Sequence, residues 1–278
     1  MKPSRSSIVA IACAAALALG ASAAARAQAQ PQPQPAPAPA AASSPTTAPA
    51  PSRLLMVGNS YLYYNDSIHN HLRRIAVAAD PSLEKKLQYK SATIGGAALV
   101  DHPIEHLTTP GRIGVKGAFE VVLLQGNSGA ALSEAGRKRY HDAVVAFDKV
   151  IRSHGGRTAL YLTHAYVAPH PKADPGMIRK TEAMVTGVAR EIGALVVPVG
   201  LAFEQAYKRR PDLRLHKDYD GSHPELVGSY LAACVLYASL YGKSPVGNGY
   251  DYYGRIDKDT TAFLQQVAQD TVTAFNAR

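Results

Sequence analysis

The sequence predicts an α/β domain: a three-layer α/β/α sandwich around a five-stranded parallel sheet in the flavodoxin-like order 2-1-3-4-5. Three observations carry this. Short apolar runs of strand length alternate with segments of helical period. The connections between the runs are long enough to hold a helix, as parallel pairing requires. Several runs end in small or polar residues, Gly-Asn-Ser first among them, at the carboxyl ends of strands where such sheets bind ligands.

Leu54 to Val57 is the first strand. Its four apolar residues run straight into Gly58-Asn59-Ser60, too short a run for a helix. Ile68, Leu72, Ile75, Ala76 and Ala79 then recur at helical spacing and stop before Pro81. Leu87 to Ile94 is the second strand, closed by Gly95-Gly96, and Phe119 to Leu124 the third, closed by Gln125-Gly126-Asn127. Ser133 to about His154 is helical, with Ala143, Val144, Phe147, Val150 and Ile151 inward, and Gly155-Gly156 ends it. Thr158 to Thr163 is the fourth strand, Gly176 to Ile192 a helix ended by Gly193, and Leu195 to Val199 the fifth strand. Leu201 to Arg209 is helical, Pro224 to Tyr241 is a long apolar helix, and Asp259 to Asn276 is a final amphipathic one.

The domain so defined spans 53–278. Residues 1–27 read instead as a secretory leader: Lys2 and Arg5, an apolar run from Ile8 to Leu19, and Ala25-Arg26-Ala27 as the cleavage site. The apolar run is too short to span a bilayer. Cys13 lies inside that run, with Ala10 where a lipoprotein signal has a larger aliphatic residue. Residues 28–52 alternate Pro with Ala and Gln and read as an extended linker that buries no core. Loss of the leader removes Lys2, Arg5 and Arg26 and no acid, lowering the formal charge from +9 to +6. The basic residues are spread along the chain, with doublets such as Arg73-Arg74, Lys85-Lys86 and Arg209-Arg210, so a nucleic-acid surface is not expected. Cys234 alone survives cleavage, inside an apolar helix, where it reads as a buried small residue. An exported domain without disulfides suits a bacterial periplasm or secretion, with no membrane span after cleavage.

The polar residues beyond the strands form a pattern. Ser60 follows the first strand, Gly96 the second, Asn127 the third, and Asp220 with His223 the fifth. A serine hydroxyl is a weak nucleophile until a neighbouring base takes its proton. Histidine can be that base near neutral pH, and a carboxylate at its other nitrogen orients it. Asp220 and His223, three residues apart, supply both. The negative charge that develops on an attacked carbonyl needs donors fixed in advance. The Ser60 and Gly96 amides and the Asn127 side chain are the candidates, glycine being chosen because it lets the backbone approach a ligand closely.

These blocks resemble those of the SGNH (GDSL-type) hydrolases: Gly58-Asn59-Ser60, Gly95-Gly96, Gly126-Asn127 and Asp220-Gly221-Ser222-His223, in that order. The likeness is closest to a bacterial branch with Gly-Asn-Ser at the first block and a Gly-Ser-Tyr-Leu helix after the last, as at Gly228 to Leu231. The resemblance implies a serine esterase without cofactor: Ser60 as nucleophile, His223 as base, Asp220 as its partner, and Ser60, Gly96 and Asn127 as the oxyanion hole. It implies a small-molecule or glycan ester as substrate, acetylated carbohydrate or lipid among the possibilities. Two departures stand out. Asn59 replaces the usual Asp before the serine, and the third block reads Gln125-Gly126-Asn127-Ser128, so Gln125 competes with Asn127 as the amide donor.

Other readings compete. Gly126-Asn127-Ser128-Gly129-Ala130 is similar to a nucleophile elbow, which would make Ser128 the nucleophile of an α/β-hydrolase. The histidine pairs His69 and His71, His102 and His106, and His164 and His170 could hold a metal, although no Glu follows His102 as in H-E-x-x-H. The domain could also be a carbohydrate-binding module that keeps the cleft without turnover. Tyr61, Tyr63 and Tyr64 sit just past Ser60, where aromatic rings could stack on a sugar or pack at the helix start.

Overall fold

The computed structural model describes residues 50–278. The expected leader lies outside the described residues, as does the expected linker up to residue 49. The described chain forms one sheet of β1 (Arg53–Gly58), β2 (Gln88–Thr93), β3 (Val121–Leu124), β4 (Arg157–Tyr161) and β5 (Leu195–Val197). Every pairing is parallel and the order is β2-β1-β3-β4-β5, as the sequence predicts. The α-helices are α1 (Ser60–Tyr63), α2 (Ile68–Ala79), α3 (Ile104–Thr108), α4 (Glu134–Ser153), α5 (Met177–Ile192), α6 (Val199–Arg209), α7 (Leu226–Tyr241) and α8 (Lys258–Asn276).

The continuous apolar runs follow from burial on both faces of the sheet. Side chains alternate along a strand. Leu54 and Met56 of β1 therefore join one core with α2, α6, α7 and α8, while Leu55 and Val57 join the other with α4 and α5. All four are fully buried, each worth about 1.5–3 kcal/mol. Helix α7 is apolar all round because α2, α6 and α8 surround it above the sheet. Cys234 lies in it, and burial pushes its thiol up to about 12.

Most boundaries differ from the sequence reading by a residue or two, and two of the differences have a clear cause. The fifth strand stops at Val197, not Val199, because Pro198 has no N–H for a ladder and becomes the N-cap of α6. The long apolar helix starts at Leu226, not Pro224, because Pro224 pairs with His216 in an isolated antiparallel bridge. At the other end of the sheet Pro51 is buried, and the Ser52 amide and hydroxyl donate to Glu120 at 2.7 and 2.9 Å. Pro51 and Ser52, which the sequence reading placed in the linker, are therefore held against the sheet.

Candidate active site

The carboxyl edge of the sheet collects the residues singled out above. Strand β1 ends at Gly58, and Asn59 caps the short α1 with its side-chain oxygen on the Tyr61 amide at 3.2 Å. Ser60 is therefore the first helical residue and not the cap, which leaves its hydroxyl free for another partner. The Asn59 side-chain nitrogen donates to the Ala97 carbonyl at 3.1 Å, and its backbone N–H donates to Gln125 Oε1 at 2.8 Å. An ionised Asp accepts only and cannot make the bond to Ala97. That is a physical reason for Asn before this serine.

Asp220 and His223 lie on the loop before α7. Asp220 Oδ1 accepts from the Ser222 and His223 amides at 2.8 and 3.0 Å, closing the loop on itself. Gly221 makes the turn possible: its φ is +60°, and a Cβ there would lie 2.0 Å from the Val167 carbonyl. Asp220 Oδ2 accepts from His223 Nδ1 at 2.6 Å, and His223 Nε2 stands 2.8 Å from Ser60 Oγ. Because the Nδ1–H is committed to the carboxylate, the neutral ring's Nε2 is left as an acceptor for the serine O–H. Burial works against the Asp220 charge, but the bonds from the His223 ring and the two amides outweigh it and hold the carboxyl below its usual range. The nearby carboxylate Asp218 is 70% exposed and pairs with Arg214 instead.

The three candidate oxyanion donors face the same cleft. Among the described residues the Ser60 and Gly96 amides donate to no protein acceptor. Gly96 has φ +71°, which favours glycine although a Cβ would meet nothing within 4 Å. Asn127 Nδ2 donates one proton to the Gly96 carbonyl at 3.1 Å, and its oxygen accepts from the Gly129 amide at 3.0 Å. The other Nδ2 proton remains for a ligand. Gln125 is fully buried, its oxygen on the Asn59 amide and its nitrogen on the Gly126 carbonyl. It holds the end of β1 to the end of β3 and does not line the cleft. Ser60, Gly96, Asn127 and His223 line the cleft of about 350 Å³ with Tyr63 and Ser128.

The competing residues do not join this hydrogen-bonded chain. Ser128 Oγ bonds the Tyr166 hydroxyl at 2.8 Å, so the His223 ring serves Ser60 and not the elbow serine. His102 precedes α3 and His106 lies on it, so the pair does not share a helix face. His71 is buried against the Asn65 carbonyl and the Tyr250 hydroxyl, and His164 is buried while His170 stacks on Tyr166. Among the described residues no three His, Cys, Asp or Glu side chains form a metal-binding group. Of the three tyrosines, Tyr61 is core, stacked on His164 at 4.4 Å with its hydroxyl 2.7 Å from Ser222 Oγ. Tyr63 is 41% exposed at the rim, and Tyr64 covers the His223 ring. Sequence reasoning missed Ser222 and Asn65, which tie this loop down. Their partners are more than 150 residues away, and no local pattern announces them. A second cavity of about 480 Å³ lies behind Tyr166, lined by Phe203, Tyr207 and His216 among others, and contains none of Ser60, Asp220 or His223.

No protein-family model and no curated protein sequence matches the chain. Solved structures do match. A DUF4886 family protein from Bacteroides uniformis aligns at 18% identity over 80% of this chain and 95% of its own, with a TM-score of 0.62. A protein provisionally assigned as an SGNH hydrolase from Slackia heliotrinireducens aligns at 23% identity over 67% and 97%, TM-score 0.54. An acetylxylan esterase from Geobacillus stearothermophilus, solved as a catalytic mutant, aligns at 14% identity over 70% and 96%, TM-score 0.54. The chain has the fold of the SGNH hydrolases. No helix among the described residues is long and apolar enough to cross a membrane.

Proposed function

We propose that the chain is an exported serine esterase that hydrolyses a carboxylic ester through Ser60, His223 and Asp220. The observation that carries this is the unbroken chain Ser60 Oγ, His223 Nε2, His223 Nδ1, Asp220 Oδ2, at 2.8 and 2.6 Å. The ester carbonyl sits in the cleft with its oxygen toward the Ser60 and Gly96 amides and Asn127 Nδ2. Ser60 Oγ attacks the carbonyl carbon as its proton passes to His223 Nε2. Asp220 stabilises the imidazolium, and the three donors stabilise the oxyanion. His223 then gives the proton to the leaving alkoxide, and the acyl group stays on Ser60. Water repeats the sequence, releasing the acid and restoring the serine.

Support for an acetylated carbohydrate comes from two sides. The exposed Tyr63 ring stands at the cleft rim, where it can stack on a sugar, and structural neighbours include acetylxylan esterases. The leader-like residues 1–27 support a periplasmic or secreted location. A fluorophosphonate probe tests the nucleophile. It should label the wild type and not Ser60→Ala. Labelling that survives Ser60→Ala and disappears in Ser128→Ala would overturn the assignment. A panel of aryl esters of rising acyl length, beside acetylated xylo-oligosaccharides, then ranks the substrates.

A further inference from the structure

The segment that carries Ser60 also grips the loop that carries His223, residue by residue. Tyr61 holds Ser222 through their hydroxyls at 2.7 Å. Asn65 Nδ2 donates to the Pro224 carbonyl at 2.8 Å and to Ser229 Oγ at 2.8 Å. Between them, the Tyr64 ring lies flat on the His223 imidazole, centroids 4.4 Å apart and planes 18° from parallel. The Tyr61 ring meets the same imidazole by its edge at 5.7 Å. Tyr64 is one helical turn beyond Ser60, with its amide on the Ser60 carbonyl at 3.2 Å. The i,i+4 spacing puts both side chains on one face, so the hydroxyl and the aromatic ring reach His223 together. The chain then reverses through Asn65, Asp66 and Ser67, with φ of +55°, +72° and +61°. Three successive non-glycine residues in the left-handed region are costly. They end α1 abruptly and aim the Asn65 amide at Pro224.

We propose that Tyr64 is a positioning residue for the esterase reaction: its ring holds the His223 imidazole in line with Ser60 and stabilises the cation that forms there. The inference rests on the esterase reading. The ring face is electron-rich and lies within the distance at which a cation is attracted to it. During acyl transfer His223 gains a proton at Nε2 while Asp220 holds Nδ1. Tyr64 then faces a full positive charge that the base form of the ring lacks. An interaction stronger in the transition state than in the ground state acts on kcat rather than KM. The ring does this work and not the hydroxyl, which meets Tyr219 at the surface.

The test compares Tyr64→Leu and Tyr64→Phe with the wild type on an aryl acetate. Tyr64→Leu should lower kcat about ten-fold with KM within about two-fold, and slow fluorophosphonate labelling of Ser60 in parallel. Tyr64→Phe should restore both. In histidine-labelled protein the His223 ring-proton signals should move in Tyr64→Leu and stay near wild type in Tyr64→Phe, at unchanged melting temperature. If Tyr64→Leu does not fold, Tyr64→Met keeps the bulk without the ring and takes its place. Wild-type kcat in the ringless variant, or a rise in KM alone, overturns the proposal, as does a Tyr64→Phe variant as slow as Tyr64→Leu. A wild type that turns over no ester and takes no probe at Ser60 overturns the esterase reading and this inference with it. An active wild type beside an unaffected Tyr64→Leu overturns the inference alone.

Discussion

Neighbouring histidines behind and within the cleft are kept in opposite conditions. His223 keeps about a quarter of its side chain exposed and donates its Nδ1–H to the Asp220 carboxylate. His164 is fully buried one layer behind, sandwiched between Tyr61 and Phe203 at 4.4 and 4.2 Å, its Nε2 donating to the Ser222 carbonyl. His216 packs edge-on against His164 and bonds only the Tyr207 hydroxyl and the Ala165 carbonyl. Burial drives the His164 ring well below its ordinary value, with His216 adding to it, and pushes His216 down to about 4. A carbonyl partner needs only the single N–H of a neutral ring. A carboxylate partner fixes the ring by its Nδ1–H and leaves Nε2 toward the cleft, the arrangement a base needs. The same residue type is thus a core element or, in the proposed function, a base according to whether a carboxylate and the cleft reach it.

Breaking the carboxylate side of this contrast has the largest expected effect. Asp220→Asn should lower kcat on the order of 10⁴-fold, the size seen for the analogous change in a serine protease. The amide still holds the ring but favours the wrong tautomer. His223→Ala should be at least as damaging. Steady-state kinetics on one aryl acetate reads both, and a variant within ten-fold of wild type would detach Asp220 from the site.

The buried side should respond in stability. His164→Ala removes the middle of a three-ring stack and should cost about 2–4 kcal/mol in urea denaturation. A loss below about 1 kcal/mol would show that the ring is not part of the core.

His216 sharpens the contrast through pH. Its folded value of about 4 lies below the unfolded value of 6.5. Between these the unfolded chain binds the proton more readily. Its contribution to stability is therefore complete above about pH 6.5 and lost as pH falls toward 4, on the order of 3 kcal/mol in all. His216→Gln keeps a donor for Ala165 without titrating. The pH slope of stability over that window should flatten, and an unchanged slope would place the proton elsewhere.

The smallest effect serves as the control. Asp218→Asn, at an exposed position two residues from Asp220, should leave kcat within about two-fold. If it cripples turnover while Asp220→Asn is silent, the two carboxylates have exchanged roles.

The sequence by itself determined the layered fold and the set of candidates. Apolar runs without alternation require burial on both faces, and the crossovers between them require a parallel sheet, so Ser60, Gly96, Asn127 and the Asp220 loop had to gather at one edge. Asp220 and His223 were legible together because their contact is local, closed within one turn. What the tertiary structure decided is which of several equivalent side chains points where. Gln125 and Asn127 carry the same amide two residues apart. Only the approach of Gly58 and Asn59 to the end of β3 places one in the framework and the other in the cleft. Tyr61, Tyr63 and Tyr64 are three alike residues that become core, rim and cover for His223, because the partners of Tyr61 and Tyr64 come from loops 100 or more residues away. The histidine pairs likewise look alike in sequence and are parted by burial. Local spacing sets which residues can meet within a turn, whereas the partner that gives a side chain its role arrives only when the sheet has brought distant loops together.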